Sequence, residues 1–462
     1  MIPERLQPVL DQVLPLAERF EASGHRLYLV GGIVRDLVVG RPTTGADLDL
    51  TTDARPETIV EVLNGWADAV WEQGRPFGTI GARVSGTTFE ITTHRAEAYL
   101  SDSRKPHVTY ADDIATDLSR RDFTVNAMAL QVPQAELVDP YDGLGDLAAG
   151  RLRTPLTPEE SFRDDPLRMM RAARFAAGYG LAPDPELLDA IEHLRGRLEI
   201  VSAERIRDEL SKLLLVGDPS RGLWFLADTR LSDEFLPELL AMRLEQDPIH
   251  RHKDVLAHTI AVVAKTRPRL VMRLAALLHD IGKPKTRCIG PSGVSFYHHE
   301  VVGARMARDR LRALRFPKDV VDDVGKLVFL HLRFHGYHDD VWTDAAVRRY
   351  VRDAGHLLDE LNELTRCDCT TRNERTAQEL AARIDALEDR IEELRKREEL
   401  AAIRPDIDGN RVMELLGIQP GPLVGEALDM LLEARLEEGP LGVEEAERRL
   451  LEWWAQRQST GG

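Results

Sequence analysis

The 462-residue sequence contains only three cysteines, Cys288, Cys367 and Cys369, and no Cys-x-x-Cys pair. That excludes a disulfide framework and a thiolate zinc finger. No apolar run reaches the roughly 18 residues of a membrane span. The opening Met1-Ile2-Pro3-Glu4-Arg5 lacks the basic region and apolar stretch of a secretory signal, so the expected compartment is the cytoplasm. An excess of positive charge is missing as well: 61 Lys and Arg stand against 78 Asp and Glu, a net charge of −17. A uniformly basic surface is therefore excluded, and a polyanionic partner would require basic residues clustered locally. What remains is ordinary for a folded chain, with 43% hydrophobic and 30% charged residues and a mean hydropathy of −0.30. The length suggests roughly three domains.

Residues 5–24 have amphipathic helical spacing, with Leu6, Leu10, Leu14 and Phe20 among the apolar positions. Leu27-Tyr28-Leu29-Val30 reads as a strand running into Gly31-Gly32, followed by a helix from Ile33 to Val39 closed by Gly40. Leu48 to Thr51, Ile80 to Val84 and Thr88 to Thr92 read as further strands of one sheet, giving a mixed α/β head that ends near Pro155. Beyond residue 157 the strand pattern fades and helical spacing covers 160–178, 186–196, 202–216 and 219–230. A histidine-rich helical stretch follows over about 250–370. A charged helix over 376–400 spaces Leu380, Ile384, Leu387, Ile391 and Leu394 by fours and threes. That seam is only about two heptads long, and it reads as a helix lying on its own domain rather than an oligomerising coiled coil.

The strongest local signal is Leu29-Val30-Gly31-Gly32-Ile33-Val34-Arg35-Asp36 followed by Asp47-Leu48-Asp49-Leu50. On a strand, residues two apart face the same way with Cα atoms ~6.5 Å apart, so Asp47 and Asp49 project side by side. Two adjacent anions repel unless hard cations lie between them, and Mg²⁺ favours such oxygen ligands together with substrate phosphates. A two-metal arrangement of this kind steadies the attacking and leaving oxygens of phosphoryl transfer. Gly31-Gly32 lets the backbone approach closely, and the following helix offers N–H groups to a triphosphate. Arg35 and Arg41 add charge-assisted donors, and Glu90 is a candidate third carboxylate.

Together these residues resemble the first motif of the nucleotidyltransferase superfamily, in its class II branch of bacterial CCA-adding tRNA nucleotidyltransferases and poly(A) polymerases. The run Asp117-Leu118-Ser119-Arg120-Arg121-Asp122-Phe123-Thr124-Val125-Asn126 resembles the family's ribose-reading motif. The resemblance implies that Arg121 and Asp122 meet the 2′-OH or phosphates of an incoming nucleotide, with Asn126 in support. Arg163-Asp164-Asp165-Pro166-Leu167-Arg168-Met169-Met170-Arg171-Ala172-Ala173-Arg174 resembles the base-selecting motif, with Asp164 where the family pattern has Glu. The spacing predicts Asp165 and Arg168 on one helical face. A carboxylate accepts and a guanidinium donates, which matches the shared edge of cytosine and adenine and opposes that of uracil and guanine. Arg171 and Arg174 extend the basic face. The segment from Thr93 to Val108 resembles the loop that accompanies the switch from C to A addition.

In the second half, His258, His279-Asp280, His299, His331 and Asp368 resemble the metal site of an HD-domain phosphohydrolase, with His250, His252, His298 and His335 as alternatives. Imidazole with carboxylate suits a transition metal.

The expected class is α+β: a small mixed-sheet nucleotidyltransferase head over 1–155, an all-α neck over 156–240, an HD-type body over 241–372 and a helical tail over 373–462 in contact with tRNA. The implied activity is Mg²⁺-dependent addition of CMP and AMP from CTP and ATP to the tRNA 3′ end, with an accessory hydrolase at the HD site. Poly(A), CC-only or A-only addition remain alternatives, as do an HD phosphohydrolase with an RNA-binding head and a non-catalytic tRNA-binding protein.

Overall fold

The computed structural model describes residues 6–41, 47–98, 107–247, 252–290, 293–334, 342–369, 374–398 and 403–460, and the chain forms two compact units, Met1–Leu240 and Ala241–Gly462. In the first, α1 (Gln7–Ala22) buries Val9, Leu10, Val13, Leu16, Ala17 and Phe20, one stripe at helical spacing. Then come β1 (Leu27–Val30), α2 (Gly32–Val39), β2 (Leu48–Thr52), α3 (Pro56–Leu63), β3 (Ala69–Trp71), β4 (Thr79–Val84) and β5 (Thr87–Thr93). An antiparallel ladder of β6 (Arg95–Ala98) and β7 (His107–Tyr110) leads to α4 (Ile114–Ser119), β8 (Ala129–Val132), β9 (Glu136–Val138) and α5 (Gly143–Ala149). Outside that ladder the strands join one seven-stranded sheet in the order β3-β4-β5-β2-β1-β8-β9. β2 and β5 are its parallel pair, and every other neighbouring pair is antiparallel. β1 is buried at every position, as an apolar Leu-Tyr-Leu-Val run covered on both faces should be.

β10 (Arg151–Leu152) pairs with β11 (Ala182–Pro183) beside the helices α6 (Pro158–Asp164), α7 (Leu167–Gly178), α8 (Pro185–Leu194), α9 (Ala203–Leu214), α10 (Ser220–Asp228) and α11 (Pro237–Ala241). Thr157 and Glu160 close a capping box on α6. The sequence spacing predicts one helix over 160–178, whereas the structure breaks it at Asp165, which is extended at φ −136° and ψ 99°. Pro166 is the reason: its ring crowds the preceding residue out of the helical region and removes a donor from the ladder.

The second unit begins with the hairpin β12 (Glu245–Asp247) and β13 (His252–Asp254), then α12 (Val255–Lys265), α13 (Leu270–Leu278) and α14 (Lys283–Thr286). The hairpin β14 (Arg287–Gly290) and β15 (Gly293–Phe296) precedes α15 (His299–Ala313), α16 (Lys318–Leu330), α17 (Asp344–Ala354), α18 (Leu358–Asp368) and α19 (Glu374–Arg397). Ile384, Leu387, Ile391 and Leu394 of the α19 seam are buried against α17 and α18 of the same unit. Arg366 ties the helix down through Glu388 at 2.6 Å. The closing helices α20 (Gly409–Leu416), α21 (Pro422–Glu438) and α22 (Val443–Thr460) share a core of Ile407, Val412, Ala427, Leu431, Ala446 and Leu450. Among the described residues, no helix is long and apolar enough to cross a membrane.

Candidate active site

The turn after β1 passes through Gly31 at φ 74° and ψ −140°, a conformation that excludes ordinary side chains, and opens directly into α2. β2 alternates so that Leu48 and Leu50 enter the core while Asp49 stays out, with Asp47 exposed just ahead of it. The parallel register sets Asp49 opposite Glu90 of β5. A Cβ on Gly31 would stand 3.0 Å from Arg121 Nη1 and 3.9 Å from Asp49 Oδ2, so turn, guanidinium and carboxylate meet at one point. Burial raises the Asp49 carboxyl above its ordinary range; Arg121 opposes this, and Glu90 and Asp47 reinforce it. A carboxylate held among like charges has the character of a cation ligand. Among the described residues, trios of ligand-type side chains within 4.8 Å of one another occur only in the second unit. The head acids are neighbours without closing to that distance.

Arg121 is itself held by Asp117, whose buried carboxylate takes Arg120 at 2.7 Å and Arg121 at 3.4 Å. Behind the turn runs a polar chain. Arg35 is buried and donates from Nε and Nη2 to Asp36 at 3.0 Å, from Nη1 to Asn126 Oδ1 and from Nη2 to the Tyr179 hydroxyl. Its guanidinium also lies 4.1 Å from the Tyr179 ring centre. Asn126 Nδ2 donates to Asp122 Oδ1 at 2.9 Å, and Arg171 Nε donates to Asp122 Oδ2 at 2.8 Å. Burial alone would push the Asp122 carboxyl up, but Arg171 and Asn126 hold it at about 2. Arg35 and Asp122 thus sit inside the protein with their polar atoms engaged, while Arg121 lies at the carboxylates.

Asp165 and Arg168, the expected base-reading pair, remain one turn apart, with the Arg168 N–H donating to the Asp165 carbonyl at 3.0 Å, while their side chains take different partners. Arg168 is buried in α7, with Nη1 on Ser161 Oγ at 2.8 Å and Nη2 on the Arg120 carbonyl. Asp165 accepts from the Leu167 N–H at 3.2 Å and from Arg205 Nη2 of α9 at 2.8 Å. Arg174 pairs with Glu209 and lies 4.8 Å from the Phe175 ring centre. Arg41 donates to the Gly178 carbonyl at 2.8 Å.

In the second unit, His258, His279, Asp280, His299, His331 and Asp368 converge. Two trios, His258-His279-Asp280 and Asp280-His299-His331, share the buried Asp280. Asp280 Oδ2 lies 3.2 Å from His279 Nε2, and Oδ1 lies 3.5 Å from His299 Nε2. Asp368 Oδ1 stands 2.9 Å from His258 Nε2. The Nδ1 atoms of His279, His299 and His331 face the carbonyls of Ala276, Phe296 and Val328 at 2.8, 2.8 and 2.7 Å. Donation to those carbonyls leaves each Nε2 lone pair aimed inward, the tautomer that metal ligation requires. Burial opposes charge on His279, yet Asp280 and Asp368 raise it to about 10, while burial and His279 lower His331 to about 4. Of the alternatives, His298 is exposed, His252 lies in β13, and His250 and His335 lie outside the described residues.

Family models match in three places: the Poly A polymerase head domain over residues 27–153, the probable RNA and SrmB-binding site of polymerase A over 180–242, and the HD domain over 253–394. The A-adding tRNA nucleotidyltransferase of Deinococcus radiodurans is 34% identical over 416 residues, covering 85% of this chain and 93% of that protein. This chain belongs to the tRNA nucleotidyltransferase and poly(A) polymerase family. The CCA-adding enzyme of Lactobacillus delbrueckii subsp. bulgaricus is 38% identical over 231 residues, 50% of this chain and 57% of that protein. The solved structure of the Bacillus stearothermophilus CCA-adding enzyme in complex with CTP aligns with a TM-score of 0.68 at 25% identity, covering 99% of this chain and all of that one.

For this tRNA nucleotidyltransferase, the sequence reading missed Asp117, Tyr179, Arg205 and Glu209. Asp117 had a visible signal, since it precedes Arg120 and Arg121 at helical pair spacing. The other three act across elements far apart in sequence and left none. Part of the segment expected to switch C to A addition, residues 99–106, lies outside the described residues, and its flanks form the β6–β7 ladder.

Proposed function

We propose that this enzyme adds CMP and AMP from CTP and ATP to the 3′ end of tRNA, completing CCA with release of pyrophosphate, in the cytoplasm. The observation that carries the reading is the approach of Asp49 and Arg121 at the Gly31 turn, with Glu90 opposite Asp49 on the neighbouring strand and Asp47 acting on it electrostatically. Asp47 and Asp49 would hold Mg²⁺, which when bound neutralises charge on the phosphates and on the attacking and leaving oxygens. The RNA 3′-oxygen forms a bond to the α-phosphorus as the α–β phosphoanhydride bond breaks. Gly31 and the first N–H groups of α2 receive the triphosphate. Arg121 lies where sugar and phosphate enter, and Asp122 and Asn126 fix the motif behind it. Asp165 and Arg168 serve base selection, with Arg171 and Arg174 on the same helix.

Purified protein given tRNA lacking CCA and each nucleotide separately tests this. Addition of two C residues with CTP, then one A with ATP, is expected. Long tails from ATP alone would make it a poly(A) polymerase. A second reading, A-only addition, is favoured by the Deinococcus relative, which matches across nearly its whole length; it predicts extension of CC-ended tRNA alone. The six-residue cluster of the second unit supports an accessory metal-dependent phosphohydrolase. Hydrolysis that survives Asp47→Ala without any nucleotide incorporation by the parent would make that the main activity.

A further inference from the structure

In the first unit the ends of three helices meet around a cavity of about 430 Å³. Arg41 stands just past the end of α2, Gly178 and Tyr179 close α7, and Lys212 lies in the last turn of α9. Among the described residues, the cations Arg41, Arg174 and Lys212 line this cavity and no carboxylate does. Cations at helix C-termini answer the last carbonyls, but here that use is small. Arg41 gives one N–H to the Gly178 carbonyl at 2.8 Å and lays its guanidinium 4.0 Å from the Tyr179 ring centre. Buried Glu209 takes Nε of Arg174, and among the described residues no acceptor takes its two terminal nitrogens. Lys212 is exposed, and among the described residues its ammonium has neither a hydrogen bond nor an ion pair. The donors left over on these three side chains border one space, the arrangement that receives an oxyanion.

The cavity is also tied to the catalytic turn. Tyr179 forms one wall, and its hydroxyl accepts from Arg35 and donates to Asp36 at 3.2 Å, at the end of the buried chain behind Gly31. Arg41, expected at the triphosphate, stands at the other end of α2, whose eight residues span ~12 Å. We propose that this pocket binds a phosphate group of the RNA strand, holding the strand in register with the turn where its end is extended. Charge decides the ligand. A chain with a net charge of −17 repels a polyanion over much of its surface, so RNA must be caught where cations gather without acids. The two guanidinium groups fork onto phosphate oxygens and the lysine adds a point charge. Stacking on Tyr179 orders Arg41 in advance, which lowers the entropy lost on binding. A free phosphate ion offers the same chemistry and is the other source.

Lys212→Gln removes one pocket cation without removing a hydrogen bond or ion pair, so the variant should fold as the parent does. Binding of the full-length protein to tRNA lacking CCA, read by fluorescence anisotropy, should weaken about three- to tenfold. The slope of log K against log salt should fall by about 1. Lys212→Glu should weaken binding further. In steady-state incorporation the KM for tRNA should rise while the KM for CTP stays unchanged. Lys396→Gln, an exposed lysine in the last turn of α19, should alter neither affinity nor slope. Calorimetric titration with inorganic phosphate separates the two sources. Phosphate binding lost in Lys212→Gln while tRNA affinity holds would keep the site and assign it to free phosphate. Unchanged affinity for both ligands in folded Lys212→Gln and Lys212→Glu would overturn the proposal, as would an equal loss in Lys396→Gln. The binding measurements need no incorporation, so a parent that transfers no nucleotide would refute the transferase reading and leave this one standing.

Discussion

Asp49→Asn should move stability and activity in opposite directions, because the same crowding that suits Asp49 to a cation makes it unfavourable without one. Its carboxyl is raised above the ordinary value, first by burial and then by Glu90 and Asp47, against the pull of Arg121. A raised carboxyl binds protons more tightly folded than unfolded, so at neutral pH its charge opposes folding, and the penalty fades as the group protonates on acidification. Like charges directly across a strand pair cost about 0.2–1 kcal/mol. The surrounding protein desolvates the Asp49 carboxyl, yet the residue keeps an exposed surface on β2 that screens the interaction, so the neutral amide should gain about 0.5 kcal/mol. In a unit of this size that is a rise of roughly 1–2 °C in Tm. The asparagine should lower nucleotide incorporation at least about a thousandfold, or about 4 kcal/mol of transition-state stabilisation. Thermal melts in EDTA should therefore favour the variant. Melts in Mg²⁺ and nucleotide should favour the parent, which alone binds them fully. A variant that melts lower than the parent in EDTA, or keeps near-parental incorporation, would refute the reasoning.

Three further outcomes follow from the same geometry. Gly31→Ala forces a side chain into a strained conformation, costing about 1–3 kcal/mol, and presses on Arg121. Single-turnover incorporation should fall about a hundredfold, while Gly24→Ala, strained at φ 78° but with open space around it, should stay active. Arg171→Met leaves the Asp122 carboxylate buried and unpaired, which should destabilise the first unit by about 3–5 kcal/mol in urea melts. Because Asp122 is depressed to about 2, its contribution is present above its unfolded value and lost as pH falls from about 4 to 2. The variant should lack that acid step. At the histidine cluster, Asp280→Asn should abolish Mn²⁺ or Ni²⁺ binding at both trios, whereas His258→Ala should spare the one built on His299 and His331, as read by metal analysis of the dialysed protein.

What could be seen in the sequence was whatever is written in local spacing. β1 into Gly31, the Asp47 and Asp49 alternation, and the α19 seam all follow from periods of two or of three and four. The histidines were visible for another reason: as a set they resemble an HD-type metal site, and His258, His279 and His331 lie on or at the end of apolar helices where a polar ring needs a purpose. Partners across elements were not visible. Asp165 and Arg168 look like a helical pair in the sequence, and one proline redirects the carboxylate to Arg205, 40 residues away. Arg35 looks like a phosphate ligand after a glycine turn, but Asn126 and Tyr179 claim its donors. β8, β9 and the β6–β7 ladder were missed because short strands carry too few alternations to register.

The buried polar chain explains why these claims on Arg35 matter. Asp36, Arg35, Asn126, Asp122 and Arg171 connect the turn, the ribose-reading motif and α7 through consecutive hydrogen bonds. Charged groups sequestered from water add little net stability unless every donor and acceptor is met, so a chain of this kind is costly to disturb at any link. Its return is rigidity. Arg121 and Asp122 are consecutive, so fixing Asp122 from behind restricts where Arg121 can stand against Asp49. An arginine that merely bound phosphate could be replaced by lysine with modest loss. One that forks onto Asp36 while reaching Asn126 and Tyr179 could not, because an ammonium cannot span those directions. Arg35→Lys should therefore lower kcat more than it raises KM for nucleotide, and an effect confined to KM would return Arg35 to the role of phosphate ligand.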